Sequence, residues 1–175
     1  MLMGGRMSIG FGNVGIYDKR FSPSILELNG KIVANGVVRF GHGCKICVCD
    51  GATLTIGDNF CNTSEARIVC ADNITFKNNV LLGWETMVMD TDWHNVVDVE
   101  TGKVSHCHKP IVIGENVWTG QKSTILKDVH IAQGCIIASC AVVTKSFEEE
   151  NALIAGNPAV VKKTDVTRYY GEPKP

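Results

Sequence analysis

Residues 113–143 read IGENVW-TGQKST-ILKDVH-IAQGCI-IASCAV-V, and a branched residue returns at every sixth position: Ile113, Thr119, Ile125, Ile131, Ile137 and Val143. Thr119 is the one member that is not aliphatic. Gly114, Gly120, Ala132 and Ala138 follow these residues directly, and Val117, Ser123, Val129, Cys135 and Ala141 stand at the fourth offset. A period of six suits neither an amphipathic helix, which repeats at 3.6, nor an isolated alternating strand, which repeats at 2. It suits a coil in which each hexad forms one face of a prism and three hexads complete a turn. The branched residue then points to the axis, and small residues stand at the corners, where bulk would clash. Each stacked Ile or Val should contribute about 1.5–3 kcal/mol through burial, before entropy is counted. A β-sandwich also gives short strands at regular spacing, but six consecutive hexads in phase argue against it.

The same grammar runs earlier through Phe76, Leu82, Val88 and His94, with Val80, Thr86 and Asp92 at the fourth offset. Phe40-Gly41 and Ile56-Gly57 look like further repeats, although the phase slips between Phe40 and Phe76, which predicts bulges or small loops there. The expected fold is therefore an all-β parallel β-helix in a single domain, as a length of 175 residues allows. Residues 36–145 form the prism, and an excursion loop leaves it at 95–110. Residues 1–35 serve as an N-terminal cap or arm and 146–175 as a C-terminal turn and tail, because coil ends expose strand edges that need cover.

Hydrophobic residues make up 45% and charged residues 20%, away from the signature of disorder, and the net charge of −1 gives no reason to expect nucleic acid as a partner. No apolar run approaches the roughly 18 residues of a bilayer span, and the stretch from Met1 to Phe11 lacks a basic segment followed by an apolar one. The expectation is a cytoplasmic protein without a membrane partner, whose eight cysteines are reduced. Cys44, Cys47 and Cys49 have a C-x-x-C-x-C spacing that could suggest zinc. The usual second ligand pair is missing, so they are read as small residues on a strand and no metal is expected.

Between the two hexad blocks the period breaks across Asn95 to Pro110, just after Asp90-Thr91-Asp92-Trp93-His94. The hexad count puts His94 where an aliphatic residue is due. A hydroxyl is a poor nucleophile at neutral pH, and acyl transfer to it gains from a base with a pKa near 7, which histidine supplies. Asp90 or Asp92 could accept a hydrogen bond from the other ring nitrogen and so orient the imidazole. Such residues also populate ordinary polar turns.

The segment from Pro110 to Lys163, with its N-V-W-T-G, V-V-T-K and A-G-N-P-A strings, resembles the C-terminal half of hexapeptide-repeat acyltransferases, among them galactoside, maltose and capsular-sugar O-acetyltransferases. Asn73 to His94 shares the resemblance, and the earlier coils do so weakly. The resemblance implies a left-handed β-helix, acetyl-CoA as acyl donor, and His94 as general base. It also implies that Trp118 lines the pantetheine channel, with Ser139, Thr144 and Lys145 along the CoA side. Lys162 and Lys163 would then pair with CoA phosphates. Asn62 and Asp72 lie near the family's acceptor-side polar positions, and a homotrimer with sites between subunits is implied. The chain departs from the pattern at Thr119, at Glu148-Glu149-Glu150 in place of Pro-Pro, and at Val160 in place of a base.

Together these readings predict direct transfer of an acetyl group to a carbohydrate hydroxyl in a ternary complex, without a cysteine nucleophile. Three rivals stand beside it: transfer to serine or a xenobiotic, a non-catalytic hexapeptide scaffold or sugar-binding protein, and a zinc-dependent γ-carbonic anhydrase. The last lacks its H-x-x-x-x-H spacing among His42, His94, His106, His108 and His130. The resemblance also implies a long N-terminal helical domain for serine acetyltransferases and a longer loop for xenobiotic enzymes.

Overall fold

A computed structural model describes residues 5–169; the outermost parts of the expected cap and tail, 1–4 and 170–175, lie outside the described residues. Its strands wind into a three-faced prism, and each face is a sheet whose neighbours are parallel except at the C-terminal end of the first. Face A stacks Arg6–Phe11, Val37–His42, Phe60–Ser64, Leu81–Leu82, Trp118–Thr119, Ile136–Ile137 and Leu153–Gly156, and is closed by the antiparallel strand Ala159–Lys163. Face B stacks Ile25–Leu28, Lys45–Val48, Arg67–Cys70, Met87–Met89, Thr124–Leu126 and Val142–Val143. Face C stacks Lys31–Ala34, Thr53–Ile56, Asn73–Phe76, Ile111–Ile113 and Val129–Ile131. The segment expected as an N-terminal cap thus makes a turn of the prism itself, because Ile9 pairs with Phe40, Leu26 with Ile46 and Ala34 with Ile56.

The phase slip has one location. From face C through A to B the stacked interior residues always advance by six: Ala34, Phe40, Ile46; then Ile56, Asn62, Ile68; then Phe76, Leu82, Val88; then Ile113, Thr119, Ile125. All the variation falls at the edge from B to C. That step takes 10 residues from Ile46 to Ile56, 8 from Ile68 to Phe76, 25 from Val88 to Ile113, and 6 from Ile125 to Ile131. The early bulges and the excursion loop are therefore insertions of different length at one edge of the prism.

The corners explain the small residues. A Cβ built on Gly83 would lie 2.6 Å from the backbone of Thr119 and Gly120 in the next coil, and one on Gly114 would meet the carbonyl carbon of Ala132 at 2.7 Å. The left-handed backbone that turns the corner recurs at Asn59, Asn79 and Asn116 between C and A, where asparagine tolerates it well. Between A and B it falls on Glu65, Glu85, Lys122 and Cys140.

Inside, Phe40, Phe60 and Phe76 pack ring against ring at 4.9 and 5.0 Å, and the later coils continue with fully buried aliphatics. Thr119, the exception in the hexads, is fully buried and satisfied. Its hydroxyl accepts the Gly83 N–H at 3.1 Å and shares a 2.9 Å hydrogen bond with the Thr86 hydroxyl, which in turn reaches Ser123. Cys44 points inward and donates to Asn62 Oδ1, whereas Cys47 lies beside Glu27 on the outside of face B. The cysteine cluster therefore does not converge, and among the described residues no group of three or more potential ligands could hold a metal.

Candidate active site

The chain leaves the prism earlier than the sequence suggested. After Val88 the next inward residue is Asp90, which is fully buried and accepts hydrogen bonds from the backbone N–H groups of Ala71 and Asp72 at 2.7 and 2.9 Å. Burial pushes its carboxyl above the ordinary aspartate value, and the two N–H donors partly offset the effect. Asp90 thus fastens the edge from which the loop departs. Thr91 then bridges to His108, with its hydroxyl 2.9 Å from Nδ1 of that ring. Trp93 donates its N–H to the Thr91 hydroxyl and sets its indole edge-on to His108. Beyond this neck, Val96–Val97 and Val104–Ser105 form a small antiparallel hairpin.

His94 lies in this excursion and is exposed. The count that gave it a hexad position fails because the interior ladder stops at Val88, and face C of that coil is completed by Ile111 and Ile113 instead. Neither candidate carboxylate orients it. Both oxygens of Asp90 serve the Ala71–Asp72 turn, and Asp92 pairs with Lys127 at 2.5 Å. Lys127 also donates to the His106 carbonyl, so this lysine ties both arms of the loop to the following coil.

The residues expected on the donor side divide into groups. Trp118 and Ser139 come together on one groove of about 330 Å³ along face A, together with Leu81, Gly83, Trp84 and Gln121. Trp118 sits there because it is the outward residue of its strand, stacked between Leu81 and Ile136, while Thr119 points in. Lys162 and Lys163 are exposed on the strand that closes the same face. Thr144 and Lys145 follow Val142–Val143 on face B, and the Lys145 ammonium stands over the Phe147 ring. Asn62 is buried on face A and donates to the Leu82 and Gly83 carbonyls, whereas Asp72 lies at the edge from B to C, its N–H given to Asp90. The expected acceptor residues are therefore on different sides of the prism.

A larger cleft escaped the sequence reading. The chain between Phe11 and Ile25 crosses the corner from A to B as a loop and walls a space of about 540 Å³ against face A, lined by Phe11, Val14, Arg39, Asn62, Thr63 and Trp84 among others. Tyr17 fastens the loop: its hydroxyl donates to Glu85 at 2.6 Å, and its ring meets His42 and Trp84 edge-on. Burial, followed by the Glu85 carboxylate, raises the Tyr17 pKa to about 12. The sequence signal was a tryptophan at position 84, where the hexads call for a polar residue.

The model of bacterial transferase hexapeptide repeats (six repeats) matches residues 110–145, the stretch that holds the strict sixes. The chain belongs to the hexapeptide-repeat acyltransferase family. Its three-faced prism is the left-handed β-helix of that family. It is 28% identical over 140 residues to the polysialic acid O-acetyltransferase of Escherichia coli O1:K1, covering 80% of this chain and 41% of that protein. It is 31% identical over 112 residues to the galactoside O-acetyltransferase of Escherichia coli K12, covering 63% of this chain and 54% of the relative. The chain thus spans about half the length of these curated relatives. A galactoside acetyltransferase solved in complex with coenzyme A superimposes with a TM-score of 0.64 at 25% identity, over 81% of this chain and 70% of that one.

Proposed function

We propose that this protein transfers an acetyl group from acetyl-CoA to a hydroxyl of a carbohydrate, with His94 as general base, in a site shared between copies of the chain. One observation carries the reading: His94 leaves the prism at the edge between faces B and C, while the Trp118–Ser139 groove runs along face A on the opposite side. A single copy offers the base and the groove to different neighbours. A cyclic trimer brings the loop of each copy to face A of the next.

In this arrangement the groove takes the pantetheine arm and Lys162 and Lys163 meet the CoA phosphates. His94 accepts the proton of the acceptor hydroxyl, and the oxygen attacks the thioester carbonyl. The tetrahedral intermediate collapses with loss of the CoA thiolate, to which the imidazolium returns the proton. Backbone N–H groups hold the oxyanion. Because Asp90 and Asp92 are engaged elsewhere, the orientation of His94 comes from the Thr91–His108 neck, the Lys127 tether and the adjoining copy. No cysteine is needed for a covalent acetyl intermediate. Burial pushes the Cys44 thiol up to about 11 and that of Cys70 to about 12, which keeps both protonated at neutral pH.

The test is release of CoA thiol from acetyl-CoA with a panel of sugars, nucleotide sugars, serine and chloramphenicol. We expect turnover with a carbohydrate and a loss of at least about 100-fold in His94→Ala. Near-normal transfer by that variant would refute the base. Mixed trimers of His94→Ala and Trp118→Ala chains should recover activity at interfaces that receive an intact residue from each copy. A failure to recover, with each variant trimeric, would place both residues in one chain's site.

A further inference from the structure

We infer that the cleft between the N-terminal loop and face A is an acceptor pocket selective for a carbohydrate bearing an anionic group, held by Arg39. The argument begins with position. The cleft and the Trp118–Ser139 groove share two lining residues, Thr63 and Trp84, so they form one channel divided at the Trp84 indole. A donor lying along the groove and a ligand filling the cleft meet at that junction. This placement rests on the acyltransferase reading above; the ligand chemistry follows from the cleft alone.

The indole is fixed on both sides. Its Nε1–H donates to the Thr63 hydroxyl at 2.6 Å, and the Tyr17 ring stands against it at 6.0 Å and 87°. Tyr17 is itself held by Glu85, one of the corner residues in the left-handed region. A rigid aromatic face beside Phe11 and Val14 suits the apolar face of a pyranose ring, and the Thr63 and Asn13 side chains offer polar groups to its hydroxyls. A volume of about 540 Å³ lies in the roughly 300–1,000 Å³ range of small-molecule sites.

Arg39 supplies the charge. It is the outward residue of Val37–His42, stacked between Ser8 and Cys61 and exposed at the cleft wall. Among the described residues it forms no salt bridge. Asp58 is close enough to feel its charge, but the Asp58 carboxylate is committed to the Val37 N–H at 2.7 Å. A planar guanidinium at the rim of a largely apolar cleft is suited to bidentate capture of a carboxylate or phosphate. A neutral sugar would leave it without a counter-charge.

The experiment compares glucose, glucuronic acid and glucose 1-phosphate, which share a ring and differ in the anionic group. Binding to the full chain is measured by saturation-transfer NMR without donor, and KM is measured by CoA release where transfer occurs. We expect at least one charged ligand to bind about tenfold more tightly than glucose at low salt, with the preference reduced by 0.5 M NaCl. Which charged ligand wins separates a carboxylate from a phosphate source. Arg39→Gln should bring the charged ligands to within about threefold of glucose without changing KM for acetyl-CoA, and Arg39→Lys should fall between. Equal binding of the three sugars, or a preference that survives Arg39→Gln, overturns the inference while leaving acetyl transfer standing. Arg39-dependent binding of an anionic sugar by a protein that transfers no acetyl group upholds the cleft and overturns the reading of the activity.

Discussion

The coil from Ile113 to Ile131 and the coils before it solve the same packing problem with different amounts of chain. Stacked residues of face B are separated by 22 residues from Ile46 to Ile68, 20 from Ile68 to Val88, 37 from Val88 to Ile125 and 18 from Ile125 to Val143. The interior is equally closed in both halves: Ile68, Val88, Ile125 and Val143 are all fully buried. What differs is a single edge. An insertion there changes no parallel pairing, because the strands on either side of it are held by the coils above and below. The prism can therefore carry a long loop at that edge, and the candidate base stands on the longest one.

The largest test of this comparison joins Thr91 to His108 through a short turn and removes the chain between them. These residues already bridge in antiparallel fashion, so closure asks little of the backbone. We expect acetyl transfer to fall by at least about 100-fold and thermal unfolding by circular dichroism to move by only a few degrees. A protein that no longer folds would show that the loop supports the prism.

A second test asks whether the two kinds of coil are equally well packed. Ile68→Ala and Ile125→Ala remove the same side chain from the same face, at fully buried positions in an irregular and a regular coil. Each should cost about 2–5 kcal/mol in denaturant unfolding. A loss below about 1 kcal/mol at Ile68 alone would mean that the longer coil relaxes around the cavity.

The contrast also explains what could be read in advance. Residues 113–143 declared the fold because every inward position there is set by stacking, and stacking repeats. The early coils slipped only because a period counted along the chain includes residues at the edge that face C never sees. His94 was found through a count that the structure contradicts; its candidacy survives because the same loop begins there. Asp90 was legible as a special residue but not in its role, since its partners Ala71 and Asp72 belong to the preceding coil. Arg39, Tyr17 and Trp84 have no local pattern, because the cleft joins a loop at residues 12–24 to strands that lie 15 to 70 residues later.

Asp90 offers a test of the edge itself. Asp90→Ala leaves two backbone N–H groups without an acceptor at a largely buried corner and should cost about 1–3 kcal/mol. Loss of stability below that range, measured by urea unfolding, would show that water replaces the carboxylate and that the departure of the loop is not fastened there.

The opposite corner responds to pH. Tyr17 ionises near 10 when unfolded and near 12 in the protein, so the folded state holds this proton more tightly. The contribution of the Tyr17–Glu85 latch is fully present below pH 10 and is lost as pH rises through 12. Limited proteolysis of the 12–24 loop should accelerate over that window in the wild type, relative to Tyr17→Phe, whose loop is already loosened and lacks the titration. Parallel pH profiles for the two proteins would remove the hydroxyl from the latch.

The smallest effect is expected at Thr119, the one hexad position where the regular coils break their own rule. Thr119→Val removes a buried hydroxyl but strands little. The Gly83 N–H keeps the Thr119 carbonyl at 2.8 Å, and the Thr86 hydroxyl keeps Ser123 and the Gly120 carbonyl. The valine also joins Leu82 and Ile137 in an unbroken apolar column. Stability should change by less than about 1 kcal/mol, since a lost hydrogen bond and a gained apolar contact are of similar size. A loss above about 2 kcal/mol would instead mean that the Thr86–Thr119–Ser123 hydroxyls act as a unit that holds the corner beneath Trp84. The regular half of the prism would then support the acceptor cleft as well as the donor groove.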